Sequence, residues 1–372
     1  MNCIFCHKEQ NEVSLLLKYK NDSFICDNCI RDLHELLTNY SLIQDSTKNK
    51  IVDVKYPHEL KNELDKYVVG QDKAKIFLCS EAYTHFRRFN SYNEDNFINK
   101  NNFLLIGPTG VGKTLLATKL AEILNIPYVI ANATSLTEAG YVGEDVEHML
   151  LMLLEKCNNN TQTASRGIII IDEIDKICRS PENRFAGRDI SGEGVQQSLL
   201  KIIEGTTVEL HNEQTHQHYL LNTKNIWFIC CGTFVGIEKI IGDKYGDSAK
   251  NVFPDECIQF GMIPELMGRL PVIVQLDKLS INDYYNILIQ PIDSIISLYK
   301  NLFMLDGIEL HFDPDVLHSI ANIAFNFGTG ARSLRAVLDD FMLPLRFHTL
   351  SQKGLKKLRI TKHIFKKYSN FI

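Results

Sequence analysis

Two stretches of this sequence contain the residue types that bind a phosphate group and cleave it. The first is the run Gly107-Pro-Thr-Gly-Val-Gly-Lys113-Thr114, whose spacing G-x-x-x-x-G-K-[ST] is typical of loops that hold nucleotide phosphates. Glycines have no Cβ, so backbone N–H groups can turn towards an anion. Lys113 would supply a positive charge for the β- and γ-phosphates, and Thr114 an oxygen ligand for Mg²⁺. The residues predicted to bind the nucleotide are Gly107, Pro108, Thr109, Gly110, Val111, Gly112, Lys113, Thr114 and Leu115.

The second stretch lies further along the chain, where four isoleucines lead into Asp172 and Glu173. Asp172 is predicted to hold the Mg²⁺ shell, and Glu173 to polarise the attacking water. Taken alone, the glycine run could be a chance turn, and the two acids could be the solvated end of a strand. Together they predict a site that hydrolyses a nucleoside triphosphate.

These residues need elements that bring them together. The apolar run Phe103–Ile106 predicts a buried parallel strand before the loop, and residues 115–124 have a helical period. The isoleucine run also predicts a strand buried on both faces, as in a parallel sheet. Residues 226–231 predict a further buried strand, which ends near Thr233, a hydroxyl placed to contact the γ-phosphate.

Four cysteines near the N-terminus predict a zinc site. Cys3, Cys6, Cys26 and Cys29 form two C-x₂-C pairs, the spacing of four-cysteine zinc modules. Such a short segment cannot bury enough apolar surface to fold without a metal. The alternatives are four unrelated thiols or a redox pair, but no thioredoxin-like setting is visible. A closed four-thiolate site is structural, so we expect a docking or dimerisation module.

Composition limits the possible functions. The chain of 372 residues has 45% hydrophobic residues and a net charge of −5, which argues against a general nucleic-acid binder. No apolar run approaches the length of a membrane span, so no membrane partner is expected. The N-terminus lacks the basic and apolar regions of an export signal. We therefore expect a cytoplasmic protein with reduced cysteines.

The order of the patterns predicts the domains. Residues 1–42 would be the zinc-binding module, 43–56 a polar linker, 57–276 a large nucleotide-binding domain and 277–372 a smaller helical domain. In the small domain we predict helices over 282–304, 315–327 and 332–345, and a strand over 357–360 that closes the chain.

Several polar or exposed residues allow two interpretations. Tyr141 and Val142 lie between glycines on a loop and could contact a partner, although Tyr141 could equally pack in the core. His211, His216 and His218 could bind a metal, but a solvated loop is favoured.

Three arginines are also candidates. Arg269 lies between Gly268 and Pro271 and could be an ordinary surface residue. Arg332 begins a predicted helix, where a cation opposes the helix dipole and calls for an anion nearby. Arg188 lies in a polar loop.

These motifs together resemble the ClpX family of AAA+ unfoldases, which feed the Clp protease. The resemblance runs from Cys3 to about Ile364. It rests on the cysteine pairs, the phosphate loop, residues 136–145, Ile171-Asp-Glu-Ile-Asp-Lys176, Ser191-Gly-Glu-Gly-Val-Gln-Gln197 and Ile263-Pro-Glu-Leu-Met-Gly-Arg-Leu-Pro271. The unfoldase HslU resembles the AAA+ core but lacks the zinc module. The implied fold class is α/β: an AAA+ P-loop NTPase with a parallel sheet, a small C-terminal α-helical (α+β) domain and an N-terminal four-cysteine zinc module.

The resemblance implies further roles. Tyr141 and Val142 would form the pore loop that grips polypeptide, with Arg188 in a second, deeper pore loop. Arg269 would be an arginine finger that reaches the ATP of the adjacent subunit, and Arg332 a sensor that couples the small domain to nucleotide. Val68 and Val69 would contact the adenine. The implied assembly is a homohexamer that uses ATP, Mg²⁺ and Zn²⁺ and binds adaptors through the zinc module.

Two departures from the family concern its partners. Residues 242–253 are much shorter than the family's insertion and lack the exposed Ile-Gly-Phe tripeptide that docks on the peptidase ring. The Arg-Lys-His loop of the pore entrance is also missing, and residues 209–221 offer histidines instead. Losing an apolar anchor can cost about 2 kcal/mol or more per subunit, so peptidase docking is in doubt. Losing the basic loop weakens any preference for tags that end in a carboxylate.

The sequence thus predicts an ATP-dependent unfoldase that translocates unfolded or tagged proteins into the Clp peptidase. The alternative is a stand-alone remodelling chaperone without a peptidase. A nucleic-acid motor is a third interpretation, against which the acidic net charge and the Tyr-Val loop argue.

Overall fold

The computed structural model describes residues 2–10, 12–18, 23–33, 55–88, 100–137, 144–178, 192–212, 217–245, 251–351 and 354–369. The chain divides into two compact units, Met1–Asp53 and Val54–Ile372. The expected linker, residues 43–56, lies almost entirely outside the described residues, and the domain boundaries stay predictions.

The first unit contains two short strands, β1 (Leu16–Lys18) and β2 (Phe24–Cys26), which pair antiparallel. Isolated bridges join Asn2 to Glu9 and Cys3 to Phe24. Cys3 and Cys26 are fully buried, but five large apolar side chains of the described residues are exposed, namely Ile4, Phe5, Leu15, Leu17 and Ile30. So little apolar surface is buried that metal binding by the cysteines is a reasonable source of stability.

The second unit contains eleven strands and fourteen helices in its described residues. The strands are β3 (Phe103–Ile106), β4 (Tyr128–Asn132), β5 (Leu136–Thr137), β6 (Glu144–Asp145), β7 (Ile168–Asp172), β8 (Thr207–Asn212), β9 (Gln217–Asn222), β10 (Trp227–Gly232), β11 (Val272–Gln275), β12 (Glu309–Phe312) and β13 (Lys357–Ile360). The helices are α1 (Pro57–Asp65), α2 (Asp72–Arg88), α3 (Lys113–Ile123), α4 (His148–Lys156), α5 (Thr161–Ala164), α6 (Glu193–Glu204), α7 (Ile237–Tyr245), α8 (Pro254–Phe260), α9 (Pro264–Arg269), α10 (Ile281–Ile289), α11 (Ile295–Leu305), α12 (Pro314–Asn326), α13 (Arg332–Leu350) and α14 (Lys362–Tyr368).

The central sheet has five parallel strands in the order β11-β3-β10-β7-β4. Every residue of β3 and β10 is buried, as expected for inner strands of a parallel sheet. Ile106 pairs with Gly232 and Cys230 pairs with Ile171. The carboxyl ends of β3, β10 and β7 therefore lie at one edge of the sheet. The predicted α/β fold with a parallel sheet is confirmed.

The small C-terminal domain combines helices α10–α14 with the two-stranded parallel sheet β12–β13. Its core contains the buried rings of Phe303, Phe341 and Phe365, and the last two meet edge-to-face with centroids 5.0 Å apart. The predicted α+β character of this domain is confirmed.

Two predictions in the small domain are wrong in detail, and one strand was missed. Residues 282–304 form two helices because Pro291 disfavours helix in the residue before it, and Ser294 caps the second helix by accepting the N–H of Ser297. The strand Lys357–Ile360 does not close the chain, since α14 follows it. The strand Glu309–Phe312 was not predicted, because two of its four residues are charged or polar and it pairs only with a distant segment.

The histidine segment is a hairpin and not a solvated loop. Strands β8 and β9 pair antiparallel, and His211 lies opposite His218 with ring centroids 4.6 Å apart. Alternate residues of β8 are buried, including Val208 and Leu210. The loop interpretation failed because these buried residues set the register, while the histidines occupy the exposed face. His216 lies outside the described residues.

No helix within the described ranges combines the length and apolar character that crossing a membrane requires.

A buried lysine connects the first two helices of the second unit. Lys75 is only 2% exposed, and its Nζ donates to Oδ1 of Asp65 and to the carbonyl oxygen of Val68, each at 2.6 Å. Burial opposes ionisation of Asp65, but hydrogen bonds from Lys75 and Lys61 hold the pKa of that carboxyl below its ordinary value of 3.8.

We predict that Lys75→Met lowers the free energy of unfolding by about 1–3 kcal/mol at neutral pH, because one buried and one partly buried hydrogen bond of Lys75 are lost. A carboxyl with a lowered pKa stabilises the fold above its ordinary pKa, and this contribution is lost as the pH falls through the lowered value. The difference from the unmodified chain should therefore shrink below about pH 4. Thermal melting at pH 7 and at about pH 2, below the ordinary carboxyl pKa, measures it, with exposed Lys73→Met as control. An equal loss of stability in both variants would contradict the prediction.

Candidate functional site

The glycine-rich loop connects β3 to α3 at the carboxyl edge of the sheet. Gly110 and Gly112 have φ angles of +73° and +99°, a region that residues with a Cβ rarely adopt. Lys113 folds back over the loop, and its Nζ donates to the carbonyl oxygens of Gly107 at 2.7 Å and Pro108 at 2.9 Å. Burial lowers the pKa of Lys113. A phosphate next to it would oppose that shift, since a nearby negative charge favours the ammonium.

Two oxygen-bearing side chains meet beside this lysine. Thr114 Oγ1 donates to Oδ2 of Asp172 at 2.7 Å, and Oδ1 of Asp172 accepts the backbone N–H of Glu173 at 2.9 Å. A hydroxyl and a carboxylate are ligands of the kind that Mg²⁺ prefers. The donor set therefore fits a Mg²⁺ ion by its chemistry.

Glu173 follows the end of β7 in an unusual backbone conformation. Its φ of +58° is left-handed, which costs a non-glycine residue about 1–3 kcal/mol and is concentrated at functional sites. The side chain is exposed and lines the same cleft as Lys113 and Thr114. A carboxylate there can accept a proton from water.

Asp175 is a site residue that the sequence reasoning did not single out. It is only 6% exposed, and its two carboxylate oxygens accept the backbone N–H and the Oγ1–H of Thr233, each at 3.0 Å. This contact fixes Thr233 at the end of β10, next to the phosphate loop. The available signal was the second aspartate in Ile171-Asp-Glu-Ile-Asp-Lys176, three residues after Asp172.

These residues line one cleft of about 460 Å³. The large domain contributes the loop, the acids and Thr233. The small domain contributes two apolar side chains, Ile287 from α10 and Ile295 from α11, together with Arg332 at the start of α13. The cleft therefore has a polar end for phosphates and an apolar wall from the small domain, whose isoleucines were not predicted.

The small domain also contacts the phosphate loop directly. The N–H of Ala331 donates to the carbonyl oxygen of Gly110 at 2.9 Å. A Cβ on Gly330 would lie 2.3 Å from the carbonyl oxygen of Thr109, and one on Gly110 would lie 2.5 Å from that of Thr329. The two backbones touch where neither glycine has a side chain, and this contact places Arg332 over the cleft.

Other predicted residues lie elsewhere. Val68 is buried and Val69 half-buried, but neither lines this cleft. Arg269 is exposed and does not line it either. Its Nε and Nη2 donate to Oε1 of Glu204 at 3.0 and 2.8 Å. Tyr141, Val142 and Arg188 lie outside the described residues, so the two pore loops stay predictions.

In the first unit, the sulfur atoms of Cys3, Cys6, Cys26 and Cys29 all lie within 4.8 Å of one another. A zinc ion with four thiolates at 2.3 Å has sulfur–sulfur edges of about 3.8 Å, so the cluster fits zinc. Hydrogen bonding from the backbone of Cys6 lowers the pKa of the Cys3 thiol to about 6. Burial and the neighbouring thiols raise the pKa of Cys29, as expected when several thiols share one site.

Comparison with known proteins gives matches in all parts of the chain. Family models match residues 1–39 as a ClpX C4-type zinc finger, residues 98–273 as an AAA domain (Cdc48 subfamily) and residues 289–362 as the C-terminal D2-small domain of ClpB protein. A protein of Treponema denticola named ATP-dependent Clp protease ATP-binding subunit ClpX is 41% identical over 97% of this chain and 92% of its own. Proteins of Borrelia duttonii and Borrelia recurrentis with the same name are each 43% identical over 97% of this chain and 90% of their own. This chain belongs to the ClpX family.

Membership of the ClpX family confirms the resemblance that the motifs indicated. It also agrees with the three donor sets, which fit a nucleotide phosphate, Mg²⁺ and Zn²⁺ by their chemistry. The contact between Gly110 and Gly330 can be tested by mutation, because Gly328 in the same turn serves as a matched control.

We predict that Gly330→Ala weakens ATP binding by about tenfold, a change of 1.4 kcal/mol, because the new Cβ pushes the turn with Arg332 away from the phosphate loop. The control is Gly328→Ala. Gly328 has a φ of +68°, close to the +72° of Gly330, but a Cβ there meets nothing within 4 Å. Titration with a fluorescent ATP analogue measures both dissociation constants. Equal weakening in the two variants would show that backbone strain, and not the contact, controls affinity.

Proposed function

We propose that this chain is an ATP-dependent protein unfoldase of the ClpX type, which pulls protein substrates through a ring and delivers them to the Clp peptidase. The observation that carries the proposal is the cleft in which Lys113, Thr114, Asp172 and Glu173 converge. Membership of the ClpX family supports the substrate class. No group of protease type is needed on this chain, since the peptidase is a separate partner.

Hydrolysis follows from the residues around the cleft. The loop N–H groups and Lys113 bind the phosphates of ATP, and Thr114 with Asp172 supplies oxygen ligands for Mg²⁺. When bound, Mg²⁺ neutralises charge on the phosphates. Glu173 accepts a proton from the attacking water. Asp175 accepts the backbone N–H and the hydroxyl proton of Thr233, and this holds the Thr233 side chain beside the expected position of the terminal phosphate.

Arg332 links this chemistry to movement of the small domain. It lines the cleft from the first turn of α13, and its charge lowers the pKa of Lys113 to a small extent. Two cations this close repel each other until an anion lies between them. Bound phosphate therefore draws the small domain towards the loop, and its release removes the attraction.

The position of Arg269 supports an assembly larger than one subunit. It lies outside the cleft of its own chain, and an exposed arginine on a short helix suits an arginine finger that acts on an adjacent subunit. We propose a homohexamer in which each Arg269 completes the site of its neighbour. Val68 and Val69 are proposed to contact adenine once nucleotide is bound.

The roles of the pore loops and the zinc module are proposed on the basis of membership of the ClpX family. Tyr141 and Val142 are proposed to grip polypeptide in the axial pore, with Arg188 in a deeper loop. The zinc module is proposed to bind adaptors and some substrates. We place the protein in the cytoplasm and propose neither membrane nor nucleic-acid partners.

A second candidate is a stand-alone remodelling chaperone that unfolds or dismantles proteins without a peptidase. The observation that favours it is the absence of an Ile-Gly-Phe tripeptide from the sequence between Thr233 and Ile263. An apolar anchor of this kind can contribute about 2 kcal/mol or more per subunit, and the loss is repeated around a ring.

We predict that Glu173→Gln lowers the kcat for ATP by about 10²–10⁴, the usual contribution of a general base, with little change in ATP affinity. The amide has nearly the same shape but cannot accept the proton. Glu238→Gln changes an exposed carboxylate in α7 and serves as control. Hydrolysis rates and nucleotide titrations test this, and undiminished hydrolysis in Glu173→Gln would overturn the assignment.

We predict that the chain with ATP unfolds a tagged, stably folded fluorescent protein, and that fragments appear only when the Clp peptidase is added. Loss of fluorescence follows unfolding, and gel electrophoresis follows fragments. Unfolding without fragments would select the stand-alone chaperone, and a variant with Ile-Gly-Phe inserted between Gly246 and Lys250 would then restore degradation. If ATP produces no unfolding at all, the unfoldase proposal fails.

A further inference from the structure

One buried side chain on α6 contacts two segments of the ATPase core. Gln196 is 0% exposed. Its Nε2 donates to the carbonyl oxygens of Ile177 at 2.9 Å and Gly261 at 3.1 Å, and its Oε1 accepts the backbone N–H of Ile263 at 2.8 Å. Both amide hydrogens and the amide oxygen are therefore used. A network this complete fixes geometry, because Ile177 and Ile263 are buried and Gly261 is partly buried, so that their polar groups are costly to leave unpaired.

The two contacted segments belong to different parts of the mechanism. Ile177 ends the 3₁₀ turn that begins directly after Glu173. Gly261 and Ile263 lie between α8 and α9, and Ile263 is the residue that precedes the first turn of α9. Helix α9 has only six residues and ends at Arg269. Fixing its beginning therefore fixes the position of Arg269 less than two turns later.

The far end of α6 holds Arg269 itself. Glu204, the last residue of α6, accepts both Nε–H and Nη2–H of Arg269 on Oε1. The carbonyl oxygen of Arg269 accepts from Nδ2 of buried Asn102 at 3.0 Å. Nη1 of Arg269 has no partner in the part of this chain that the structure describes. One edge of the guanidinium is thus held, and the other can meet an anion.

We propose that Gln196 and Glu204 are positioning residues for Arg269. Gln196 fixes where α9 begins, Glu204 fixes the orientation of the guanidinium, and together they aim Arg269 at the ATP of the adjacent subunit. The proposal rests on the proposed function, in which Arg269 acts on a neighbour. It predicts that a substitution of Gln196 slows ATP hydrolysis in the adjacent subunit. This outcome is specific, because Gln196 also contacts the segment after Glu173 in its own chain.

The first experiment compares Gln196→Leu with Gln197→Leu. Leucine has a similar volume but forms no hydrogen bonds, and Gln197 is the exposed neighbour on the same helix. For the assembled Gln196→Leu ring, we expect kcat for ATP to fall by about 10²-fold, the scale of a small misplacement of a catalytic group. KM should change by less than about twofold, since binding is unaffected. Gln197→Leu should leave both constants unchanged. A Gln196→Leu ring with normal kcat would overturn the proposal.

The second experiment uses mixed rings. Glu173→Gln subunits are expected to hydrolyse ATP only very slowly, but they carry an intact Arg269 that can act on the neighbouring subunit. In mixed rings, the ATP hydrolysis rate divided by the number of Gln196→Leu subunits should rise. The reason is that each Gln196→Leu subunit has an intact site of its own and receives a correctly placed Arg269 from a Glu173→Gln neighbour. Without such rescue, Gln196 acts on its own site through Ile177, and the proposal is overturned.

A mixture of Arg269→Ala with Glu173→Gln subunits separates the inference from the function on which it rests. Rescue of Arg269→Ala but not of Gln196→Leu would refute the positioning role and leave the proposed function intact. Lack of rescue for Arg269→Ala would refute the trans-acting arginine, and the positioning role with it.

Glu204→Ala provides a test that does not depend on the buried network. The Glu204 side chain is 43% exposed, so the variant should fold normally. We expect Glu204→Ala to lower kcat by up to about fivefold, the range that an exposed ion pair allows. The double variant Glu204→Ala/Arg269→Ala should have the same kcat as Arg269→Ala alone. Independent, multiplicative losses in the double variant would overturn the role of Glu204.

Discussion

The hydrogen bonding of three parallel strands is the constraint on which this site depends. Strands β3, β10 and β7 are in register, so that the residues following each of them meet at one edge of the sheet. The phosphate loop follows β3, Thr233 follows β10, and Asp172 ends β7. Three segments that are far apart in sequence therefore supply a lysine, two threonine hydroxyls and three carboxylates within one cleft. A slip of one residue in any strand would turn its side chains to the other face of the sheet.

Much of this site could be predicted because its signals are local. The glycine run between a strand and a helix is contained in a dozen residues, and the acids directly follow an unbroken isoleucine run. The zinc site could be predicted in the same way, since the spacing of its cysteines is visible in the sequence itself. The fold class followed from the same features, because wholly apolar strands indicate a parallel sheet covered on both faces.

What could not be predicted depends on contacts between distant segments. Ile287 and Ile295 line the cleft from another domain, and nothing in their own helices indicates a ligand. Gln196 looks like one of two adjacent glutamines, and only the packed structure shows that it is buried while Gln197 is exposed. The histidine hairpin was mistaken for a loop because its polar residues dominate the composition, although every second residue of β8 is buried. Pro291 is the local signal for the break between α10 and α11, although the apolar period continues on both sides of it.

The contact between Gly110 and Gly330 limits how this protein can change over time. A side chain at either position meets backbone and not a flexible side chain, so no compensating substitution at a neighbouring side chain can make room for it. Both positions also have a positive φ, which disfavours residues with a Cβ even without the steric contact. We therefore expect selection to remove single substitutions at either glycine, because each would push the turn with Arg332 away from the phosphate loop.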